Sequence, residues 1–147
     1  MLDKIQTILN VQHLPHMRTS DDTITTGFAI DLADGTEHSF PLFIQWIKDV
    51  YDDTYIRFNI VPFIDQPADG HPIELYLAAT QANHNLPGIK LAFDSNDEIE
   101  FILDVPSSQI SDTEILTVLQ VLADYASTYY PQLLQLVADA RNEPSAE

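Results

Sequence analysis

Residues 89–105 read Ile89-Lys90-Leu91-Ala92-Phe93-Asp94-Ser95-Asn96-Asp97-Glu98-Ile99-Glu100-Phe101-Ile102-Leu103-Asp104-Val105. Two alternating runs flank a cluster of turn formers. Ile89, Leu91 and Phe93 share one face of the first run, and Ile99, Phe101, Leu103 and Val105 share the matching face of the second. A side-chain period of two marks strands, so Asp94-Ser95-Asn96-Asp97 joins them as a hairpin. Glu98, Glu100 and Asp104 fall on the outer, solvated side, together with Ala92 and Ile102. Small apolar side chains among outer charges suit a subunit contact, although single exposed ones are ordinary.

Helical patterns lie on both sides of this hairpin. Upstream, Pro72 fits a first helical position, where its missing N–H is harmless. A helix from Pro72 to about Asn83 places Ile73, Leu77 and Thr80 on one stripe with Tyr76 and Ala79 beside it, and Leu86-Pro87-Gly88 ends it. Downstream, Ser111-Asp112-Thr113-Glu114 is a capping box, in which side chains satisfy orphan N–H groups of the first turn. Ile115, Leu116, Leu119, Leu122, Ala123, Ala126 and Tyr129 follow as a broad apolar stripe. Pro131 kinks or restarts that helix, which continues from Leu133 to Ala140.

The first half opens with Leu2, Ile5, Ile8, Leu9 and Gln12 at helical spacing, stopped by Pro15. A polar stretch, Arg18 to Asp22, precedes a strand in which Ile24, Thr26, Phe28, Ile30 and Leu32 alternate with Thr25, Gly27, Ala29 and Asp31. Asp34-Gly35 signals a two-residue hairpin turn. The returning strand carries His38, Phe40 and Leu42, and Pro41 within it predicts an edge position or an early bend. After Asp52-Asp53, a third strand runs from Thr54 to about Phe63 with Ile56, Phe58 and Ile60 on one face. The order is α-β-β-β-α-β-β-α, which predicts an α+β fold: a mainly antiparallel five-stranded sheet with helices packed on one face. Residues 1–141 form one domain, and 142–147 read as a disordered acidic tail.

This order resembles the type III secretion chaperone-like fold. Residues 72–136 more specifically resemble the YbjN-type family of bacterial sensory transduction regulators, through Asn83-His84-Asn85-Leu86-Pro87-Gly88-Ile89-Lys90-Leu91-Ala92-Phe93-Asp94, Glu98-Ile99-Glu100-Phe101-Ile102-Leu103-Asp104-Val105 and the late Tyr129-Tyr130-Pro131. Family members often carry a glycine where this chain has Asn96-Asp97, and Asn and Asp also tolerate left-handed backbone angles. The resemblance implies a small non-enzymatic protein that dimerises and binds other proteins. It carries over no catalytic residue.

Composition narrows the function classes. At 147 residues the chain is close to one domain, and a domain of that size buries about 68–70% of its unfolded surface. No apolar run approaches the ~20 residues of a membrane-spanning helix, and no signal peptide is expected. Zero cysteines exclude disulfides and thiolate chemistry and fit a reducing cytoplasm. Six Lys+Arg stand against 23 Asp+Glu, a net charge of −17. Such a field repels nucleic acid and anionic membranes.

Candidate chemistry is sparse. Asp94-Ser95-Asn96-Asp97-Glu98 begins like a calcium loop, but Ile99 and Val105 stand where the turn glycine and the bidentate carboxylate belong. Asp49-Val50-Tyr51-Asp52-Asp53 is a second solvated acidic turn. The histidines His13, His16, His38, His71 and His84 form no ligand constellation, and His13 and His16 straddle Pro15. Ser107-Ser108 lacks the glycine-flanked elbow of a nucleophile. No phosphate cradle exists among Gly27, Gly35, Gly70 and Gly88. No metal, cofactor or catalytic residue is therefore expected.

The aromatic residues are more informative. Phe40, Phe43, Trp46, Tyr51, Tyr55, Phe58 and Phe63 fall within 24 residues, and Phe40 and Phe43 cannot share a strand face. Either the protein's own helices cover both faces, or one apolar face meets a partner. Phe43, Trp46, Tyr55, Ala92 and Ile102 are the candidate partner or dimer residues. The sequence points to a cytoplasmic homodimer that binds an unknown protein partner in a chaperone-like or regulatory role. The alternatives are an acidic nucleic-acid mimic that occupies a DNA-binding protein, and an enzyme with an unrecognised carboxylate pocket.

Overall fold

The computed structural model describes residues 2–64, 72–86 and 88–142. The expectations for Asp65–Gly70, for His71 as a helix-entry residue, for Pro87 and for the tail beyond Asn142 lie outside the described residues. The elements are α1 (Leu2–Val11), β1 (His16–Ser20), β2 (Thr23–Asp31), β3 (Glu37–Lys48), β4 (Thr54–Ile64), α2 (Ile73–Asn85), β5 (Ile89–Phe93), β6 (Ile99–Pro106) and α3 (Asp112–Asn142). All neighbouring strands pair antiparallel in the order β1-β2-β3-β4-β6-β5. Among the described residues the sheet has six strands, one more than the patterning predicts. The extra one is β1, His16–Ser20, which overlaps the start of the polar stretch Arg18 to Asp22. It is an edge strand that buries none of its residues, so it carries no alternation to read.

Helix α1 buries Leu2, Ile5, Ile8 and Leu9. It ends before Pro15 can act: His13 takes a left-handed φ of 55°. Its N–H donates to Asn10 O and that of Leu14 to Leu9 O. That pair of bonds is a Schellman cap with histidine in the usual glycine place. Pro41, expected at an edge, lies in the inner strand β3. Pairing of β3 with β4 starts only at Leu42, so the missing N–H sits where that ladder has run out. Opposite Pro41 stands Gly27, where an added Cβ would come within 3.0 Å of Phe40 O.

The three longer hairpins share one turn. Leu32, Asp49 and Asp94 each donate a backbone N–H to the oxygen four residues on, in Thr36, Asp53 and Glu98. The residue before each closing position is left-handed: Gly35 at 85°, Asp52 at 68° and Asp97 at 60°. These are three-residue loops with a left-handed final residue, which set up the strand twist. Asp34-Gly35 is therefore part of a loop one residue longer than the predicted two-residue turn.

The helices lie on one face of the sheet. There Ile24, Phe40, Leu42, Ile44, Ile56, Phe58, Ile60, Phe101 and Ile99 are buried, with α1 packed on β2 and α3 on β2 and β4. Helix α3 starts as expected, with Ser111 Oγ accepting the Glu114 N–H at 3.1 Å, and runs through Pro131 without a break. Its buried residues, Ile115, Val118, Leu122, Ala126, Tyr130, Leu133 and Val137, keep helical spacing throughout. Tyr130 packs edge-on against Phe40 and Phe63 at 5.0 and 5.7 Å and stacks on His38 at 4.5 Å.

Helix α2 turns differently from the prediction. It buries Leu75, Ala79 and Ala82, and leaves Ile73 and Leu77 69% and 58% exposed. Its rotation is set by β5. The Asn83 amide pairs with the backbone of Leu91, donating to its oxygen at 2.8 Å and accepting its N–H at 2.6 Å. Tyr76 packs at a tilt against Phe93, ring centroids 4.4 Å apart, and donates to Asp97 Oδ2 at 2.8 Å. The same Asn83 contacts cover the β5 edge, which would otherwise template another strand.

Candidate protein-interaction surfaces

Register decides which predicted surface residues meet. One row across the helix-free face runs Thr25–Phe43–Asn59–Ile102–Lys90, and the next runs Thr23–Gln45–Arg57–Asp104. A third joins Ile47, Tyr55 and Pro106. Phe43, Tyr55, Ala92 and Ile102 therefore occupy one continuous face, where two separate surfaces were expected. All four are only half-buried, because sheet neighbours shade them and no helix does. Trp46 is the exception. It stands in register with Ile56 and Val105, both buried on the core face. Near the end of β3, beside the first residues of α1, it stays 43% exposed.

The polar groups of the helix-free face were not legible as a set. Arg57 makes a two-pronged pair with Asp104, both nitrogen–oxygen distances being 2.8 Å. Hydrogen bonding to Asp104, more than charge attraction, holds the Arg57 guanidinium even more firmly protonated than usual. Asn59 is 8% exposed, donates to Glu100 Oε1 at 3.3 Å and leaves its own Oδ1 without a partner among the described residues. The central rows thus set Arg57 and Lys90 against Asp104 and Glu100, a local balance in a chain of −17. A cross-strand search for opposite charges in the outward positions of β4 and β6 would have found the pair.

The acidic turns use their carboxylates internally. Asp94 Oδ1 accepts the N–H groups of Asn96 and Glu98, and Asp49 Oδ1 those of Tyr51 and Asp53. Asp22 is held below the ordinary carboxylate range by hydroxyl hydrogen bonds from Ser20 and Thr23, and Asp34 by the Thr36 hydroxyl and N–H. Neither is a carboxyl raised by burial, the state that general acid chemistry needs. Among the described residues no group of three His, Asp or Glu side chains is placed to hold a metal ion, and no helix is long and apolar enough to cross a membrane.

Known proteins bear on this geometry in two ways. No curated protein matches the chain. Among solved structures, a chain of the HopA1-SchA chaperone-effector complex superposes with a TM-score of 0.57 at 11% identity, over 88% of this chain and 92% of that one. A chain of the heterodimeric ExoU-SpcU complex from the type III secretion system of Pseudomonas aeruginosa does so at 0.50 and 18%, over 90% and 97%. At these identities the likeness is one of fold, and the fold is the type III secretion chaperone-like α+β architecture. The family model described as "Putative bacterial sensory transduction regulator" matches residues 1–135, and the chain belongs to this family, YbjN.

Proposed function

We propose that this protein is a non-enzymatic protein-binding module, chaperone-like or regulatory, that works in the cytoplasm as a homodimer. The observation that carries the reading is the helix-free sheet face. It presents Phe43, Ile47, Tyr55, Ala92 and Ile102 around a charge-balanced centre, while the chain as a whole carries −17. Two strongly acidic copies repel wherever carboxylates face each other, so a second copy fits where the charges cancel and apolar surface is on offer. The chaperone–effector complexes that share the fold lend support by analogy.

Burial of apolar surface at about 25 cal/mol per Å² drives such a contact against screened repulsion. Association should therefore tighten as salt rises, the reverse of a complex held by ion pairs. Sedimentation at low and high salt tests this, with Ile102→Asp expected to give a folded monomer. A wild-type monomer at tens of micromolar (roughly the regime of a Kd worth 6–7 kcal/mol) in both salts overturns the dimer.

A further inference from the structure

The end of β3 carries a second surface on the opposite face. Trp46, the chain's sole tryptophan, sits in a cleft of about 370 Å³ walled by Leu2, Asp3, Arg18, Asp21, Thr54 and Ser107. Its own neighbours do not fill the cleft, since the residue is 43% exposed. Arg18 is tied to one wall: Nε donates to Ser20 O at 2.9 Å, Nη2 to Asp21 O at 2.7 Å and Nη1 to Asp3 Oδ1 at 2.9 Å. Asp3 is thereby ion-paired, with its own side chain 92% exposed. The Asp21 carboxylate has no hydrogen bond or ion pair among the described residues. Across the cleft, beyond β4 and at the end of β6, the Ser107 hydroxyl is shut off from solvent and has no partner among the described residues.

The surrounding field is negative. The β1–β2 and β3–β4 turns end at this side of the sheet and add Asp22, Asp49 and Asp53, while nearby Lys48 is taken up by Asp52 at 3.0 Å. An anion is repelled here. An apolar group would leave Asp21 unused. A cation with a flat face satisfies both parts of the cleft, because a guanidinium stacks on an indole and forks a carboxylate while being weakly hydrated. We infer that the Trp46 cleft receives an arginine side chain from a basic segment of a partner protein. This rests on the reading of the chain as a protein-binding module, but it uses the face that self-association leaves free.

The sole tryptophan makes the test direct. The full chain is titrated at physiological salt with a terminally blocked Gly-Arg-Gly-Arg-Gly peptide, and with the same peptide carrying neutral citrulline. The arginine peptide shifts Trp46 emission saturably and the citrulline peptide does not. Asp21→Asn weakens binding at least tenfold. Asp139→Asn, an equal charge change near the far end of α3, alters it less than twofold. Trp46→Leu, followed by calorimetry, loses the binding while retaining the far-ultraviolet circular dichroism of the folded chain. No saturable shift, or an equal loss in Asp21→Asn and Asp139→Asn, overturns the cleft. Self-association is read separately by sedimentation, so a silent cleft leaves the sheet-face proposal standing, and a monomer that still binds the peptide does the reverse.

Discussion

On the helix-covered side of β4, Ile56, Phe58 and Ile60 are completely shut off from solvent, whereas the alternating residues Tyr55 and Arg57 on the other side stay partly exposed. The same backbone carries both sets. One face is a packed interior in which Phe40, Phe63, Phe101 and Tyr130 interlock with ring centroids 5.0–5.7 Å apart. The other is a mixture in which an ion pair, a buried amide and isolated apolar groups lie side by side. Apolar character alone does not separate the faces, since Phe43 and Ile102 are as hydrophobic as Phe40 and Phe101. What separates them is whether a helix lies over the row.

Substitutions on the two faces probe that difference directly. Phe101→Ala removes a fully buried ring from the covered face and should cost about 3–5 kcal/mol. Phe43→Ala removes a half-covered ring from the open face and should cost only about 1 kcal/mol in dilute protein. Denaturant midpoints compare the two. An equal loss would mean that something covers Phe43 even in the monomer. Next in size, Ser111→Ala frees a first-turn N–H of α3 and should cost about 1 kcal/mol. It acts only on the helix layer, so sedimentation should be unchanged, and an altered oligomeric state would show that α3 reaches the contact.

The smallest effect lies at the rim, where α2 meets the β5–β6 turn. The Tyr76 phenol donates to Asp97, and that bond raises its pKa above the ordinary tyrosine value. Because the folded value is the higher one, this contribution is present below the pH at which an unfolded tyrosine ionises and is lost as pH rises through the folded value. An alkaline absorbance titration of Tyr76→Phe should lose one late-titrating phenol relative to the unsubstituted chain. A late-titrating amplitude unchanged in Tyr76→Phe would overturn the assignment of the raised phenol to Tyr76.

Legibility followed local signal. The hairpin of β5 and β6 is readable because β6 buries one whole parity and β5 sets Ile89 and Leu91 buried opposite Leu103 and Phe101. The start of α3 was readable because its cap lies within four residues. β1 gave no such signal, because its partners Thr25 and Ile24 come from the next strand and its own side chains stay wet. Closeness in sequence groups Trp46 with Phe43 and Tyr55. Three residues along a strand reverses the face, so Phe43 and Trp46 point opposite ways.

The sequence by itself determined the α+β class, the antiparallel character, the N-cap of α3 and the acidity that narrows the partners, because each depends on near neighbours or on a sum over the chain. The tertiary structure alone decided the rotation of α2, which exposes Ile73 and Leu77 once Asn83 and Tyr76 have seized β5. It alone decided the row that sets Phe43 beside Asn59 and Ile102, and the Arg57–Asp104 pair across 47 residues of chain. Such contacts follow from register and from which face the helices take, and both are settled by long-range pairing that no local window contains.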